Sequence, residues 1–185
     1  MLVLASASPR RQELLRNAGI AFEVLPAHIP EDPLPEESAK DCAERLAREK
    51  AMAVAQKRPD AAVLGADTVV VIDNLILGKP ADAADAARML RLLCGGTHEV
   101  ITGVCLVVNG QWSVGSESTS VTMSGICEVE IADYAASGEP MDKAGAYAIQ
   151  GIASRWIPRI EGDYSNVVGL PVALVYGMLR RAGLT

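Results

Sequence analysis

The run Ala62-Val-Leu-Gly-Ala-Asp-Thr-Val-Val-Val-Ile72 is almost continuously apolar. A run of this kind, without polar alternation, reads as a central strand buried on both faces. Asp67 interrupts it. A lone carboxylate in such a strand is costly unless it is paired or liganded. Asp67, with Thr68 beside it, is therefore a candidate for binding a divalent metal or for serving as general base to a water. A carboxylate salt-bridged inside the core is the competing reading.

Outward from this strand, helices and strands alternate. Upstream, Leu2–Ala5 reads as a short buried strand and Pro9–Ala18 as a helix turning Leu14, Leu15 and Ala18 inward, stopped by Gly19. Phe22–Leu25 reads as a second strand. Four prolines between Pro26 and Pro35 exclude regular structure there, leaving a rigid loop that carries Glu31 and Asp32. Glu36–Gln56 reads as a long helix, with Ala43, Leu46, Ala47, Lys50, Ala51 and Val54 at helical spacing. Downstream, Asp73-Asn74 makes a turn, and a short strand precedes Gly78-Lys79-Pro80. Asp82 caps a helix reaching Leu93, which Gly95-Gly96 ends. Thr97–Val108 and Gln111–Met123 flank Asn109-Gly110, a strong hairpin signal. Ile131–Ser137 reads as a short helix, and Ala146–Gln150 and Trp156–Glu161 as strands. Gly162–Tyr164 turns, and Leu170-Pro171 opens a terminal helix. The expectation is an α/β fold with a mixed sheet, since the hairpin is antiparallel.

Half of the 185 residues are hydrophobic, 22% are charged and only 4% are aromatic, so the core must be built from Ala, Val, Leu and Ile. This length suits one compact domain, 1–185, with two lobes around a central cleft. A formal net charge of −6 argues against stable nucleic-acid binding or an anionic membrane surface, but a small anion needs only a local basic pocket. The apolar run Val167–Leu179 is too short to span a bilayer. Met1 leads directly into a strand with no basic n-region, so no signal peptide is expected. Cys42, Cys94, Cys105 and Cys127 form no C-x-x-C pair, and only His28 and His98 could complete a zinc site. Buried thiols in a reducing cytosol are expected.

Four groups of residues could carry chemistry. In Ser8-Pro9-Arg10-Arg11, Ser8 suits a helix N-cap and Pro9 the first helical position. A helix N-terminus attracts anions, and two arginines placed there against the dipole suggest a bound phosphate or polyphosphate. Two solvated arginines are the plainer alternative. Asp67 with Thr68 is the second group. Lys50 and Lys79 are the third. Lys50 lies on the apolar face of its helix, where its stem could equally snorkel to water. Gln150, beside Gly151, is the fourth, with a carboxamide suited to the edge of a nucleobase or to local backbone. Together they fit metal-assisted attack on a nucleoside polyphosphate. No Walker A or kinase glycine loop is present, and neither histidine lies in a nucleophile-elbow context.

These groups fall within longer blocks: Ala5-Ser-Ala-Ser8-Pro-Arg-Arg-Gln-Glu-Leu-Leu15, Arg45-Leu-Ala-Arg-Glu-Lys50-Ala, Gly65-Ala-Asp67-Thr68-Val, Gly78-Lys79-Pro, Thr97-His98-x-Val-x-Thr102, Asp142-Lys-Ala-Gly-Ala-Tyr-x-Ile-Gln150-Gly and Gly162-Asp-Tyr-Ser-Asn-Val-Val-Gly-Leu-Pro171. In that order, over essentially the full length, the chain resembles the Maf family of nucleoside triphosphate pyrophosphatases. The resemblance implies a cytoplasmic enzyme, often a homodimer. It implies hydrolysis of a nucleoside triphosphate to monophosphate and pyrophosphate with a divalent metal, Mg²⁺ or Mn²⁺. It also implies an elongated mixed β-sheet flanked by helices, similar to the inosine triphosphate pyrophosphatases. The aspartate matching Asp67 is the family's proton acceptor, and the positions matching Arg10, Thr68 and Gln150 are associated with base selection. A 7-methyl-GTP branch carries tryptophan where Arg10 stands here, so Arg10 with Thr68 and Gln150 points to the dTTP/UTP branch. The expected substrate-binding set is Ser8, Arg10, Arg11, Lys50, Thr68, Lys79 and Gln150, with Asp67 and Glu31 as metal ligands. Pro30, beside Glu31, departs from the family's pattern. The alternative is a non-catalytic nucleotide-binding regulator of cell division; a third class is a nucleotidyltransferase with an organic acceptor.

Overall fold

The computed structural model describes residues 1–185. The apolar run forms a strand over its whole predicted length, β3 (Ala62–Ile72), at the centre of a seven-stranded sheet. On one side β3 is joined by β1 (Leu2–Leu4), which pairs in parallel with Ala62–Leu64 and with the outer strand β2 (Glu23–Val24). On the other side the hairpin β5 (Thr97–Val108) and β6 (Gln111–Thr122) continues the sheet antiparallel, and β7 (Arg159–Glu161) closes its far end. Asn109 and Gly110 both take positive φ, 50° and 77°, as a two-residue hairpin turn of this twist requires. The mixed α/β sheet expected from the sequence is the observed one.

A gap along one edge of β3 makes room for the site. β1 leaves the sheet at Leu4, and the short β4 (Leu75–Leu77) joins β3 only at Val70–Ile72. Between them, Gly65–Val69 has a strand neighbour on the β5 side alone. A cleft of 690 Å³ opens there. One face of the sheet is covered by α2 (Ala39–Ala55), which packs on β3 and β5. Its approach is set by two glycines. A Cβ at Gly65 would stand 2.2 Å from the Ala47 carbonyl oxygen, and one at Gly103 2.3 Å from that of Ala43. No side chain fits at either position while α2 stays where it is.

The core is divided. The largest cluster gathers α3 (Ala83–Leu93), α4 (Glu128–Ala136) and Val70, Val100 and Val121 at one end of the sheet. Two smaller clusters pack both faces of the β1–β3–β5 end, with α1 (Pro9–Asn17) and the terminal α6 (Val172–Arg181) on one face and α2 on the other, and a third joins α2 to Val69 and Ile101 farther along β3 and β5.

Several elements differ from the sequence expectation. α1 turns Leu15 inward, but Ala18 is exposed at its C-cap and Arg11 takes the buried position one turn before Leu15. The second strand is reduced to Glu23–Val24. α2 starts at Ala39, not Glu36, because Ser38 caps it, accepting from the Asp41 N–H at 3.1 Å, while Glu36 has φ 61° in a turn. α4 starts earlier, at Glu128, because the Glu130 carboxylate reaches back to the Cys127 N–H at 3.2 Å. Ala146–Gln150 is not a strand. Gly145 and Ala146 take left-handed φ, and the segment's amides bond elsewhere: Gly145 N–H to the Gly78 carbonyl, Ala148 N–H to the Tyr134 hydroxyl. Trp156 ends a 3₁₀ turn, Ile152–Trp156, so the last strand is only Arg159–Glu161. The Gly162–Tyr164 turn runs on into a short helix, α5 (Tyr164–Val168), capped by Asp163. All four cysteines are free thiols, but only Cys42 and Cys105 are buried; Cys94 is half-buried and Cys127, the N-cap of α4, is exposed. Burial pushes the Cys42 and Cys105 thiols up to about 11. No helix is long and apolar enough to cross a membrane.

Candidate active site

At the mouth of the cleft, Ser8 caps α1, its hydroxyl accepting from the Arg11 N–H at 3.5 Å, and Pro9 takes the first helical position. No acidic residue lies in the first turn. Arg10 and Arg11 then diverge. Arg11 is buried and donates from Nε to the Gly169 carbonyl at 2.8 Å, from Nη1 to Ser6 Oγ at 3.1 Å and from Nη2 to Thr68 Oγ1 at 3.0 Å. Its guanidinium ties α1 to β3 and to the turn after α5. Arg10 reaches to the opposite wall and pairs with Asp142 at 2.9 Å. Burial alone would raise the Asp142 carboxyl, but hydrogen bonds from Lys143 and Arg10 hold it at about 2.

Deeper in the cleft, α2 places Lys50 over β3. Lys50 is 6% exposed and does not snorkel; its Nζ lies 2.5 Å from Asp67 Oδ1 and 2.6 Å from Glu31 Oε1. Asp67 is itself 7% exposed. Lys79, after β4, binds the other Glu31 oxygen at 2.9 Å. Glu31 comes from the proline-rich loop, which is irregular as expected. Burial would raise its carboxyl, but the two lysines outweigh that and hold it at about 2. Asp67 and Glu31 thus share one ammonium. No group of three or more His, Cys, Asp or Glu side chains converges. Two carboxylates within reach of one cation match the way Mg²⁺ is held, by one or two carboxylates plus substrate phosphates.

Ser8, Arg10, Arg11, Glu31, Lys50, Asp67, Thr68, Lys79 and Gln150 all line this one cleft. Residues that no sequence pattern assigned a role join them. Ser6 accepts from Arg11 and from the Ser8 N–H. Asp142 and Lys143 form the facing wall. Behind Thr68 lie Thr102 and Asn166, both fully buried. A threonine and an asparagine at such sites could have been flagged from their apolar surroundings in the sequence; the partnership of Arg10 with Asp142, 132 residues away, could not. His98 is buried, with Nε2 2.8 Å from the Tyr147 hydroxyl, and burial alone lowers it to about 4.

The fold is thus a mixed sheet flanked by helices that gathers polar side chains at a break in strand pairing. The fold is similar to that of the Staphylococcus aureus Ham1 protein, with a TM-score of 0.51 over 98% of both chains at 13% identity. Residues 1–182 match the family profile described as Maf-like protein, and the chain belongs to this family. It is 61% identical over 183 residues to a Koribacter versatilis protein named dTTP/UTP pyrophosphatase, covering 99% of this chain and 95% of that one. Proteins of the same name from Syntrophomonas wolfei and Geobacter sulfurreducens are each 50% identical, covering 97% and 98% of this chain and 96% of each relative.

Proposed function

We propose that this protein hydrolyses dTTP and UTP to the monophosphate and pyrophosphate, the whole chain acting as one catalytic domain with its two lobes either side of the cleft. The observation that carries this reading is the line of charge through the cleft: Arg10 and Arg11 at a helix N-terminus, then Lys50 between two carboxylates, then Lys79. The triphosphate lies along the Ser8–Arg11 turn, flanked by Lys50 and Lys79. Asp67 takes a proton from a water whose oxygen bonds to the α-phosphorus. The bridging P–O bond to the β-phosphate breaks, and pyrophosphate leaves with that oxygen. The cations stabilise charge on the departing group, the main source of rate in phosphoryl transfer. Asp67 and Glu31 would hold Mg²⁺ or Mn²⁺, which would neutralise phosphate oxygens. Thr68 and Gln150 contact the pyrimidine edge. The reading also carries a cytoplasmic homodimer.

The test is product analysis with dTTP, UTP and GTP in Mg²⁺ or Mn²⁺. Pyrophosphate and monophosphate in equal amounts from dTTP and UTP, with GTP much slower, are expected. Orthophosphate as the first product, or binding without turnover as in a purely regulatory protein, would overturn the reading.

A further inference from the structure

We propose that Thr102 fixes the direction of the Thr68 hydroxyl, so that Thr68 offers the cleft a lone pair and not a proton, and that this selects a pyrimidine with an N3–H. The proposal rests on the pyrimidine triphosphate reading above and names what sets its base preference.

Thr68 is the single position between Ala62 and Val70 of β3 that is not buried, and it lines the cleft. Its Oγ1 lies 2.9 Å from Thr102 Oγ1, directly across the β3–β5 pairing. Each hydroxyl has one proton and two lone pairs. Thr102 Oγ1 lies 3.2 Å from the Asn166 carbonyl oxygen and can donate to it. That frees a Thr102 lone pair to receive the Thr68 proton. In the opposite arrangement Thr102 would donate to Thr68. Thr68 could then donate only across 3.4 Å, to the Gly169 carbonyl that Arg11 Nε already holds at 2.8 Å, or into the open cleft, and the buried Asn166 carbonyl would lose its hydroxyl donor. Bonds of 2.9 and 3.2 Å are better than 2.9 and 3.4 Å, since hydroxyl donors favour shorter contacts. The arrangement that keeps both protons on protein acceptors at the shorter distances runs Thr68 to Thr102 to Asn166, and this is the direction assigned.

Asn166 is built to keep its carbonyl in place. It is fully buried, and its Nδ2 donates to the Val100 carbonyl and to Thr119 Oγ1, each at 2.9 Å. Arg11 Nη2 takes one Thr68 lone pair at 3.0 Å. With its proton committed to Thr102, Thr68 has one lone pair left for the cleft. Uracil and thymine bear a hydrogen on N3 and can donate to it. Cytosine has a lone pair on N3 and would meet another. Thr102 is thus a positioning residue acting through Thr68.

The experiment is calorimetric binding of UTP and CTP in a metal chelator, where no turnover intervenes, to the wild type, Thr102→Val and Thr102→Ser. The wild type should favour UTP. Thr102→Val removes the acceptor for the Thr68 proton, which can then turn to the cleft. The UTP-to-CTP affinity ratio should fall by on the order of tenfold. Thr102→Ser should restore it. An unchanged ratio in Thr102→Val, or Thr102→Ser behaving like Thr102→Val, overturns the relay alone. A second measurement needs no variant: N3-methyl-UTP should bind the wild type on the order of tenfold more weakly than UTP. Equal binding overturns the relay. A wild type that binds CTP as well as UTP overturns the relay and leaves the pyrimidine reading standing; one that binds GTP but neither UTP nor CTP overturns the pyrimidine reading together with the relay.

Discussion

Lys50 carries the most consequence of any single side chain. A lysine on an apolar helical face can extend to water or be met by acids, and helical spacing alone does not distinguish the two. Here the acids come from elsewhere in the chain, Asp67 from β3 and Glu31 from the proline-rich loop. Removing the ammonium leaves buried negative charge without a partner. Lys50→Met should therefore destabilise by about 3–5 kcal/mol in denaturant titration. Asp67→Asn should fold but lower kcat on the order of 10²–10⁴-fold in a pyrophosphate-release assay if Asp67 is the base. His98 supplies a pH signature. Burial lowers its folded value from the ordinary 6.5 to about 4. The unfolded chain then binds a proton first as pH falls, so stability is full above about pH 6.5 and declines toward pH 4. Thermal unfolding from pH 7 to 4 should show this slope, and His98→Gln should flatten it. Asp67, Thr68 and Arg11 were legible as candidates because each is a polar residue where its surroundings call for something else. The separate tasks of the two arginines were not, since Arg11 is turned inward by Ser6 and Gly169 and Arg10 outward by Asp142.

Among the elements, β3 and the β5–β6 hairpin were legible to within a residue because local signals and long-range pairing agree: an unbroken apolar run, and Asn-Gly between two strand patterns. The caps Ser8 and Asp82 were legible for the same reason, each bonding an N–H three residues on. Ala146–Gln150 failed because its apolar content serves to pack against the α3–α4 cluster, not to pair in the sheet. The seating of α2 is the element that most affects the site. Gly65 and Gly103 let it lie on the sheet, and that approach brings Lys50 to Asp67. Gly65→Ala or Gly103→Ala should cost about 1–3 kcal/mol, since the new methyl meets helix backbone that cannot rotate away. Either should also lower turnover by displacing Lys50. Gly125→Ala, where a Cβ meets nothing within 4 Å, should stay within about 0.5 kcal/mol of wild type in the same denaturation assay.

For the molecule as a whole, the cleft opens where Gly65–Val69 lacks a strand neighbour between β1 and β4, and the charged residues cross it. Arg10 from α1 meets Asp142 on the far wall, and Lys50 and Lys79 meet Glu31 from the loop. Such ordering of distant segments around one volume depends on contacts far apart in sequence, so it was legible only through the resemblance of whole blocks to a family. A ligand that binds the folded cleft and not the unfolded chain must stabilise the protein. Free dTTP at 100 times its Kd should add about 2.7 kcal/mol, read as a rise in Tm, and GTP at the same concentration much less. In the proposed reaction, water attacks the α-phosphorus. Turnover of dTTP in ¹⁸O-labelled water, with both products analysed by mass spectrometry, tests it most directly. One ¹⁸O in the monophosphate and none in the pyrophosphate are expected. Label in the pyrophosphate would place the attack on the β-phosphorus and contradict that reaction.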